Sequence, residues 1–382
     1  QAQANAANPK LAALPWKRLP DHSFAGSRQS WENEWEAKGV RRVLTSSVAG
    51  DPYRVEFSDP VAKYSVVVHH APQYHILRHW LCGDDLNFAR SLHRCMRITP
   101  SGGKSGAAFF VSHDRRFLLK GVNKAEFKML TTQVESLFWY VDQVLFDKLP
   151  SMLAQVVGLF TVSATWRHKS KKYKRSFIVQ RNLRYSLQSG GLPHFCYDLK
   201  GVGKNRRVPA AEKETEDGKG ATSPTSQEGL SPGPEPPETN RSGEATKPVL
   251  WDQNFREWTK GKPLCLLSRD LTYLKAAFWN DTQLLSKQSL VDYSLLLAGE
   301  QQNSPSGPSG SQAPNARGVG TLSLGIIDYL RPYTWDKQME TAVKSFAYHS
   351  SDKPTVIEPV DYARRFWNAM GTFFVAETPP MP

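Results

Sequence analysis

One apolar stretch that ends on a single acidic residue constrains the fold of this chain more than any other feature. Four apolar residues in this stretch favour a buried β-strand: Leu322, Leu324, Ile326 and Ile327. Asp328 follows directly, and a carboxylate at the end of a buried strand can bind a hard cation such as Mg²⁺. Residues 329–337 then combine aromatic rings with positive charge, which suits a loop that meets a phosphorylated membrane lipid. This pattern favours a metal-dependent phosphoryl transferase that acts at a membrane.

The length of the chain indicates the size of the fold, and its net charge indicates the charge of its partner. The chain of 382 residues is longer than one ordinary domain, and its 40% apolar content is enough for a sizeable core in two lobes. The net charge of +13 favours an anionic partner, which by charge alone can be a nucleic acid, a nucleotide or a membrane. Since no nucleic-acid-binding motif is recognisable, we expect no nucleic acid partner.

The cysteine spacing and the lengths of the apolar segments indicate the cellular compartment and the kind of membrane contact. The four cysteines lie far apart and form no CxxC pair, which disfavours a zinc site or a disulfide framework and favours a reducing, cytoplasmic setting. We expect membrane contact to be peripheral, because no apolar window is long enough to cross a bilayer and no signal peptide is recognisable. The chain begins with Gln1, which suggests a part of a longer protein.

A glycine-rich segment, Ser101–Phe110, is the first candidate for nucleotide binding. Its glycines at 102, 103 and 106 allow backbone N–H groups to approach an anion, and Lys104 adds positive charge. The spacing is not that of a Walker A loop, and we expect a strand rather than a helix to follow. Taken alone, the segment is more typical of a plain hairpin turn.

The next segment predicts a β-hairpin that carries Lys120 at its far end, with strands over residues 107–112 and 117–120. Protein kinases place a phosphate-binding lysine on a strand after a glycine-rich loop, so Lys120 is the candidate here. A solvent-facing lysine on an edge strand is the alternative. Residues 124–149 then predict one long helix, on which either Glu126 or Glu135 can pair with the lysine.

Periodicity predicts the elements around these motifs. We expect an extended segment over residues 55–70, a helix over 73–94 and a second helix over 264–285. Two polar segments rich in proline, glycine and serine, Pro209–Lys247 and Gln301–Gly318, predict disordered insertions that interrupt one fold.

Two basic segments and one isolated acid complete the candidates. The connector Trp166–Arg175 fits either a solvated hairpin tip or an electrostatic tether to an anionic membrane. Lys200 precedes two flexible glycines and a basic run, and such a cluster can hold phosphates. Asp292 is the only acid in the apolar segment 290–297, where an ionised carboxylate is costly without a partner or a task. A structural capping role for Asp292 is the alternative.

These motifs, in this order, resemble the phosphatidylinositol phosphate kinase family. The resemblance rests on five blocks: Gly103-Lys-Ser-Gly-Ala-Ala-Phe-Phe110, Arg116-Phe-Leu-Leu-Lys120, Tyr197-Asp-Leu-Lys-Gly201, Val291-Asp-Tyr-Ser-Leu-Leu296 and Gly325-Ile-Ile-Asp-Tyr-Leu330. Their order and spacing match across residues 55–375. The forms of the glycine-rich loop and of residues 326–337 are most similar to the PIKfyve branch. That branch makes phosphatidylinositol 3,5-bisphosphate from phosphatidylinositol 3-phosphate.

The resemblance implies an α+β fold of two lobes, an antiparallel-sheet N-lobe and a mixed α/β C-lobe with disordered insertions. On this basis we expect a flexible leader over residues 1–40, an N-lobe over 41–180 and a C-lobe over 181–378. The insertions would occupy residues 209–248 and 301–319.

The resemblance also implies cofactors and roles. ATP would be bound by five residues: Gly103, Lys104, Ser105, Gly106 and Lys120. Asp328 would hold Mg²⁺ and take part in catalysis, together with Asp292 as the catalytic aspartate and Lys200 as the active-site lysine. Lipid contacts would come from three basic residues: Lys337, Lys344 and Arg206.

The chain departs from the family pattern at two places. Gln180–Leu183 stands where the family often has Met-Glu-Asn-Leu, so contacts to adenine would rest on the backbone. Val202–Arg206 stands where Ser-x-Arg-Asn-Arg is usual, which loses a hydroxyl and replaces one arginine by lysine. Because lysine lacks the planar bidentate fork of arginine, phosphate contacts there would be looser.

Partners and location are implied only by the same resemblance. The PIKfyve branch works peripherally on endosome or vacuole membranes with scaffold and phosphatase proteins. Two alternatives stay open: a kinase of the same fold that acts on phosphatidylinositol 4-phosphate or 5-phosphate, and a catalytically inactive phosphoinositide-binding adaptor. The presence of Lys120, Asp292 and Asp328 disfavours the adaptor.

Overall fold

The computed structural model describes residues 15–19, 34–46, 52–98, 107–168, 172–187, 195–202, 206–209, 249–301, 319–333 and 357–377. Within these ranges an antiparallel-sheet lobe is followed by a mixed α/β lobe, which confirms the predicted α+β two-lobed fold. The predicted insertions at 209–248 and 301–319 lie outside the described residues, apart from residues 209, 301 and 319.

The N-lobe is built on an antiparallel sheet with the strand order β1-β2-β6-β7-β5-β4-β3. Its strands are β1 Tyr53–Ser58, β2 Ala62–His69, β3 Cys95–Ile98, β4 Phe109–Ser112, β5 Phe117–Val122, β6 Val156–Trp166 and β7 Lys172–Arg181. The predicted hairpin is confirmed, since β4 pairs with β5 and Phe109 lies opposite Lys120. Because β5 lies between β4 and β7, Lys120 is on an inner strand, and the alternative of an edge lysine is wrong.

The helices of the N-lobe are shorter than the periodicity indicates. They are α1 Glu34–Leu44, α2 Ala71–Cys82, α3 Asp85–Leu92, α4 Lys124–Thr132 and α5 Val134–Phe146. The single helix predicted over residues 73–94 is broken at Gly83, whose φ of 93° is outside the helical range. Asp84 then starts a new helix, because its side chain accepts a hydrogen bond from the backbone N–H of Asn87 at 2.6 Å. The helix predicted over 124–149 is likewise two helices that meet at Gln133.

The C-lobe contains a sheet with the order β13-β12-β8-β9. Its strands are β8 Phe195–Leu199, β9 Leu250–Trp251, β12 Ser294–Gln301 and β13 Val319–Ile327. The strand predicted to end at Asp328 is confirmed. Two smaller pairings join β10 Leu264–Leu266 to β15 Phe374–Ala376 and β11 Leu290–Val291 to β14 Arg331–Pro332.

Among the described residues, three helices accompany this sheet: α6 Asp252–Thr259, α7 Ser268–Lys287 and α8 Pro359–Phe373. The helix predicted over residues 264–285 therefore begins later, because residues 264–266 pair as strand β10. In the described part of the chain, none of the helices combines the length and the apolar character needed to cross a bilayer.

An aromatic core fixes the chain around Asp292. The neighbouring Tyr293 is fully buried, and its ring centroid lies 4.7 Å from that of Tyr362 and 5.0 Å from that of Phe366, both on α8. The hydroxyl of Tyr362 also donates to the backbone oxygen of Tyr293 at 2.5 Å. Since edge-on aromatic contacts and this hydrogen bond reinforce each other, the backbone beside Asp292 has little freedom to move.

Part of the predicted leader is ordered on the fold. The Trp16 ring packs against Tyr140 at a centroid distance of 5.4 Å, and the backbone N–H of Lys17 donates to the Asn280 side chain at 2.8 Å. Helix α1 ends with Leu44 fully buried in the core. Residues 16 and 17 and the end of α1 therefore contact the rest of the fold, while the flexible leader over residues 1–40 stays a prediction.

Candidate active site

Lys120 on β5 is the centre of an ion-paired set with Glu126 and Asp328, which we call the Lys120 triad. Its Nζ donates to Asp328 Oδ1 at 2.8 Å and to Glu126 Oε1 at 3.2 Å. Burial alone would lower the pKa of Lys120, but the charges of Asp328 and Glu126 outweigh burial and raise that pKa above its usual value. The ammonium group therefore stays charged at neutral pH, which suits an anionic ligand.

The structure identifies Glu126, and not Glu135, as the acidic partner of Lys120. Helix α4 starts with a capping box: the Asn123 side chain accepts from the backbone N–H of Glu126, and Glu126 Oε2 accepts from the backbone N–H of Asn123, both at 2.9 Å. Glu126 therefore uses one oxygen to begin the helix and the other to hold Lys120. Glu135 lies in the first turn of the following helix, α5.

Asp292, Asp328 and Lys200 come together at one end of the C-lobe sheet. Strand β13 ends one residue before Asp328, β8 ends one residue before Lys200, and β12 begins two residues after Asp292. The first residues of β12 lie opposite the last residues of both β13 and β8, so all three side chains emerge at the same edge. Asp292 and Asp328 have left-handed φ angles of 67° and 58°, which aspartate tolerates better than most residues.

Asp292 is held between two cations, and we call the set of Lys200, Asp292 and Arg331 the Asp292 clamp. Lys200 Nζ donates to Asp292 Oδ1 at 2.5 Å, and Arg331 Nη1 donates to Asp292 Oδ2. Burial alone would raise the pKa of Asp292, but the two cations outweigh burial and lower it below its usual value. Because the described contacts of the carboxylate are to side chains and not to helix N–H groups, they favour a functional role over capping.

Asp328 is the group in this site that fits a divalent cation. Among the described residues, no cluster of three or more acidic, histidine or cysteine side chains could hold a metal by protein ligands alone. Mg²⁺ is commonly held by one or two carboxylates together with substrate phosphates, so a single carboxylate with 43% of its side chain exposed fits that arrangement. Bound there with a nucleotide, the ion would neutralise charge on the phosphates.

Arg206, expected to contact the lipid, has other partners in the structure. Its Nη1 donates to Asp252 Oδ2 at 2.7 Å, and its Nη2 pairs with Asp198 Oδ2 at 2.8 Å. The side chain is only 14% exposed, so these two carboxylates hold the guanidinium inside the fold, and the lipid contact of Arg206 stays a prediction. Asp252 was not expected from the sequence. The remaining predicted contacts lie outside the described residues: Gly103, Lys104, Ser105, Gly106, Lys337 and Lys344.

Comparison with known proteins identifies the family of this chain. The family model described as phosphatidylinositol-4-phosphate 5-kinase matches residues 91–316 and 299–373. The chain belongs to this family, the phosphatidylinositol phosphate kinases. The family assignment agrees with the five sequence blocks, all of which lie within the matched residues.

Curated relatives of this phosphatidylinositol phosphate kinase are 3-phosphate 5-kinases by name. The chain is 31% identical over 329 residues to the 1-phosphatidylinositol-3-phosphate 5-kinase FAB1A of Arabidopsis thaliana, covering 84% of this chain and 16% of the relative. It is 27% identical over 368 residues to the Saccharomyces cerevisiae enzyme, covering 95% and 14%, and 28% identical over 324 residues to the human enzyme, covering 84% and 13%. The predicted PIKfyve-like catalytic domain is thus confirmed, and the chain spans less than a fifth of the length of these relatives.

In this kinase-family domain, Glu126→Gln is expected to lower kcat by about 10- to 100-fold. The variant removes one of two charges that hold the Lys120 ammonium, and a hydrogen bond to a charged group contributes about 1.5–3 kcal/mol. The measurement is transfer of labelled phosphate from ATP to phosphoinositide vesicles. Glu135→Gln, the matched control, is expected to keep wild-type turnover. Equal losses in the two variants would contradict the assignment of Glu126.

Proposed function

We propose that the chain is the catalytic domain of an ATP-dependent lipid kinase that phosphorylates the 5-hydroxyl of phosphatidylinositol 3-phosphate to give phosphatidylinositol 3,5-bisphosphate. The observation that carries this proposal is the convergence of the Lys120 triad and the Asp292 clamp at one end of the C-lobe sheet. The names of the relatives support the choice of lipid. In this proposal residues 41–180 form the N-lobe and residues 181–378 the C-lobe.

The Lys120 triad is suited to the phosphates of ATP. Lysine has three N–H donors, and within the described part of the chain two of them are used by Glu126 and Asp328, which leaves one for a phosphate oxygen. Glu126 keeps the ammonium in place as a nucleotide arrives, because the carboxylate is itself fixed by the capping box. Catalysis in phosphoryl transfer comes mainly from such positioning and charge neutralisation.

The Asp292 clamp is suited to the accepting hydroxyl. A carboxylate oxygen of Asp292 would accept a hydrogen bond from the inositol hydroxyl and direct its oxygen lone pair towards the γ-phosphorus. The lowered pKa of Asp292 makes its carboxylate a weak base, so we assign it mainly to orientation of the hydroxyl. The ammonium of Lys200, bonded to the same carboxylate, would stabilise negative charge on the phosphoryl group in transit.

Peripheral membrane association is part of the proposal. Around the tip of the β6–β7 hairpin, exposed basic side chains include Arg167, Lys172, Lys174 and Arg175. Near an anionic leaflet each basic residue contributes about 1 kcal/mol of attraction. By resemblance to the PIKfyve branch, we propose action on endosome or vacuole membranes and assembly with scaffold and phosphatase proteins.

A lipid panel tests the proposed function. Labelled phosphate would be followed from Mg²⁺-ATP to vesicles that carry phosphatidylinositol, its 3-phosphate, its 4-phosphate or its 5-phosphate. We expect selective conversion of the 3-phosphate to the 3,5-bisphosphate. Preference for the 4-phosphate or the 5-phosphate would reject the lipid assignment and retain the kinase. Vesicle binding with no turnover on any lipid would reject the kinase in favour of an adaptor.

A further inference from the structure

We propose that Asp252, together with Arg206, is a positioning residue that aims Lys200 at Asp292. The inference rests on the proposed function, in which Lys200 acts on the transferred phosphoryl group. Asp252 is the first residue of α6 and is fully buried, and it belongs to neither the Lys120 triad nor the Asp292 clamp. Its carboxylate accepts hydrogen bonds from the backbone that carries Lys200 and from the Arg206 side chain.

The Asp252 carboxylate holds the turn that follows β8. Its Oδ1 accepts from the backbone N–H of Gly201 at 2.8 Å and from that of Lys200 at 3.1 Å. Two consecutive N–H groups bonded to one carboxylate oxygen fix the direction of the chain at that point. Because the chain direction at Lys200 determines where its side chain begins, Asp252 controls the approach of the ammonium to Asp292.

Arg206 fixes Asp252 in turn. Its Nη1 donates both to Asp252 Oδ2 and to the backbone oxygen of Asp198, each at 2.7 Å. Asp198 is on β8, two residues before Lys200, so the guanidinium ties the end of the strand to the carboxylate that holds the turn. Arg206 also lies over the Trp251 ring, 5.3 Å from its centroid, which restricts its movement.

Helix α8 also packs against this turn. Gly201 has a φ of 69°, and a Cβ on it would lie 2.4 Å from the Cβ of Ala369. The turn is therefore both packed against α8 and hydrogen-bonded to Asp252. Because these contacts hold the backbone of the turn in one conformation, the Lys200 side chain is positioned to reach the Asp292 carboxylate.

Asp252→Asn is expected to lower kcat by about 10- to 100-fold with little change in KM for ATP, since a displaced catalytic group costs rate more than nucleotide affinity. The amide keeps the size of the side chain, but its NH₂ group must face either the guanidinium of Arg206 or the N–H groups of the turn. Arg206→Lys is the milder second variant, because lysine keeps the charge but loses the fork that joins two acceptors. It is expected to lower kcat in the same direction by a smaller factor.

The matched control is Asp142→Asn. Asp142 is also a buried carboxylate, 3% exposed in its side chain, and its partner Arg41 is likewise shared with a second aspartate, Asp147. This variant is expected to lose stability, as measured by Tm, but to keep wild-type kcat. In a Lys200→Met background, Asp252→Asn is expected to lower kcat no further, because the group that it positions is absent. Independent, multiplicative losses would overturn the proposal, as would an equal loss of kcat in the control.

A spectroscopic readout separates this proposal from the proposed function. Lysines would be ¹³C-methylated in the intact chain, and the Lys200 signal would be assigned by its absence in Lys200→Arg. We expect the Lys200 signal to move in Asp252→Asn and to stay in place in Asp142→Asn. An unmoved signal in Asp252→Asn would overturn the positioning role. A moved signal in a chain that phosphorylates no lipid would reject the proposed function and leave the positioning of Lys200 standing.

Discussion

Asp328→Asn is expected to lower kcat by about 10²- to 10³-fold while the protein stays folded. The asparagine keeps an oxygen acceptor for Lys120 Nζ, which donates to Asp328 Oδ1 at 2.8 Å. The variant loses the negative charge that would hold Mg²⁺ with the nucleotide. A loss of stability on the order of 1 kcal/mol is expected, because the partner Lys120 has only 8% of its side chain exposed and loses one of the two charges that offset its burial.

Turnover and nucleotide affinity together check this expectation. Phosphate transfer gives kcat, and calorimetry at several Mg²⁺ concentrations gives the affinity for ATP, which is expected to lose its dependence on Mg²⁺ in Asp328→Asn. Asp147→Asn is the control, since Asp147 is also a partly exposed aspartate paired with a cation, Arg41, at 3.1 Å. It is expected to retain both quantities. Wild-type turnover of the Asp328→Asn protein would contradict the assignment of Asp328 as the residue that binds Mg²⁺.

The parts of the site that follow regular strands were predictable from the sequence. Asp328 directly follows an apolar run, and Lys120 lies on the second strand of a hairpin with a recognisable turn. In both cases the period of two along a strand and its apolar content fix the local structure. The structure adds the pairing of the two side chains, which are 208 residues apart.

A local sequence signal, which hydrophobic periodicity does not include, distinguishes Glu126 from Glu135 as the partner of Lys120. Asn123 and Glu126 have the spacing of a capping box, which turns the glutamate side chain back towards the start of its helix. The helix starts two residues after β5, so this turn also brings the carboxylate to Lys120. The break at Gly83 is comparable, since a glycine followed by an aspartate commonly ends one helix and begins the next.

No comparable local sequence signal indicated the contacts that Asp252 and Arg206 make. They are 46 residues apart, and the bonds from Asp252 to the backbone of Lys200 and Gly201 span 52 and 51 residues. A basic residue near a glycine-rich turn is equally typical of a phosphate contact, which is why Arg206 was expected to meet the lipid. Only the three-dimensional structure shows that two carboxylates, the fully buried Asp252 and the half-buried Asp198, pair with its guanidinium.

Asp292→Ala is expected to lower kcat by about 10³-fold, and Asp292→Asn by a smaller factor of about 10². The difference follows from the role that we assign to Asp292. If the carboxylate mainly orients the hydroxyl, the asparagine oxygen retains part of that function and alanine retains none. If Asp292 instead acted as the base that removes the hydroxyl proton, both variants would lose that function completely. Their kcat values would then be equally low. The comparison of the two kcat values under saturating ATP and lipid therefore decides between the roles.

The pH dependence of kcat tests the same assignment. Since Lys200 and Arg331 lower the pKa of Asp292, its carboxylate stays ionised as the pH falls, and the wild type should show no loss of kcat from this group between pH 8 and about pH 5. Arg331→Met removes one of the two cations, so the pKa of Asp292 rises and the acid-side loss of kcat moves to higher pH. Arg331→Lys keeps the charge and should resemble the wild type. An acid-side loss at the same pH in Arg331→Met and wild type would show that Asp292 does not set the pH dependence of this kinase.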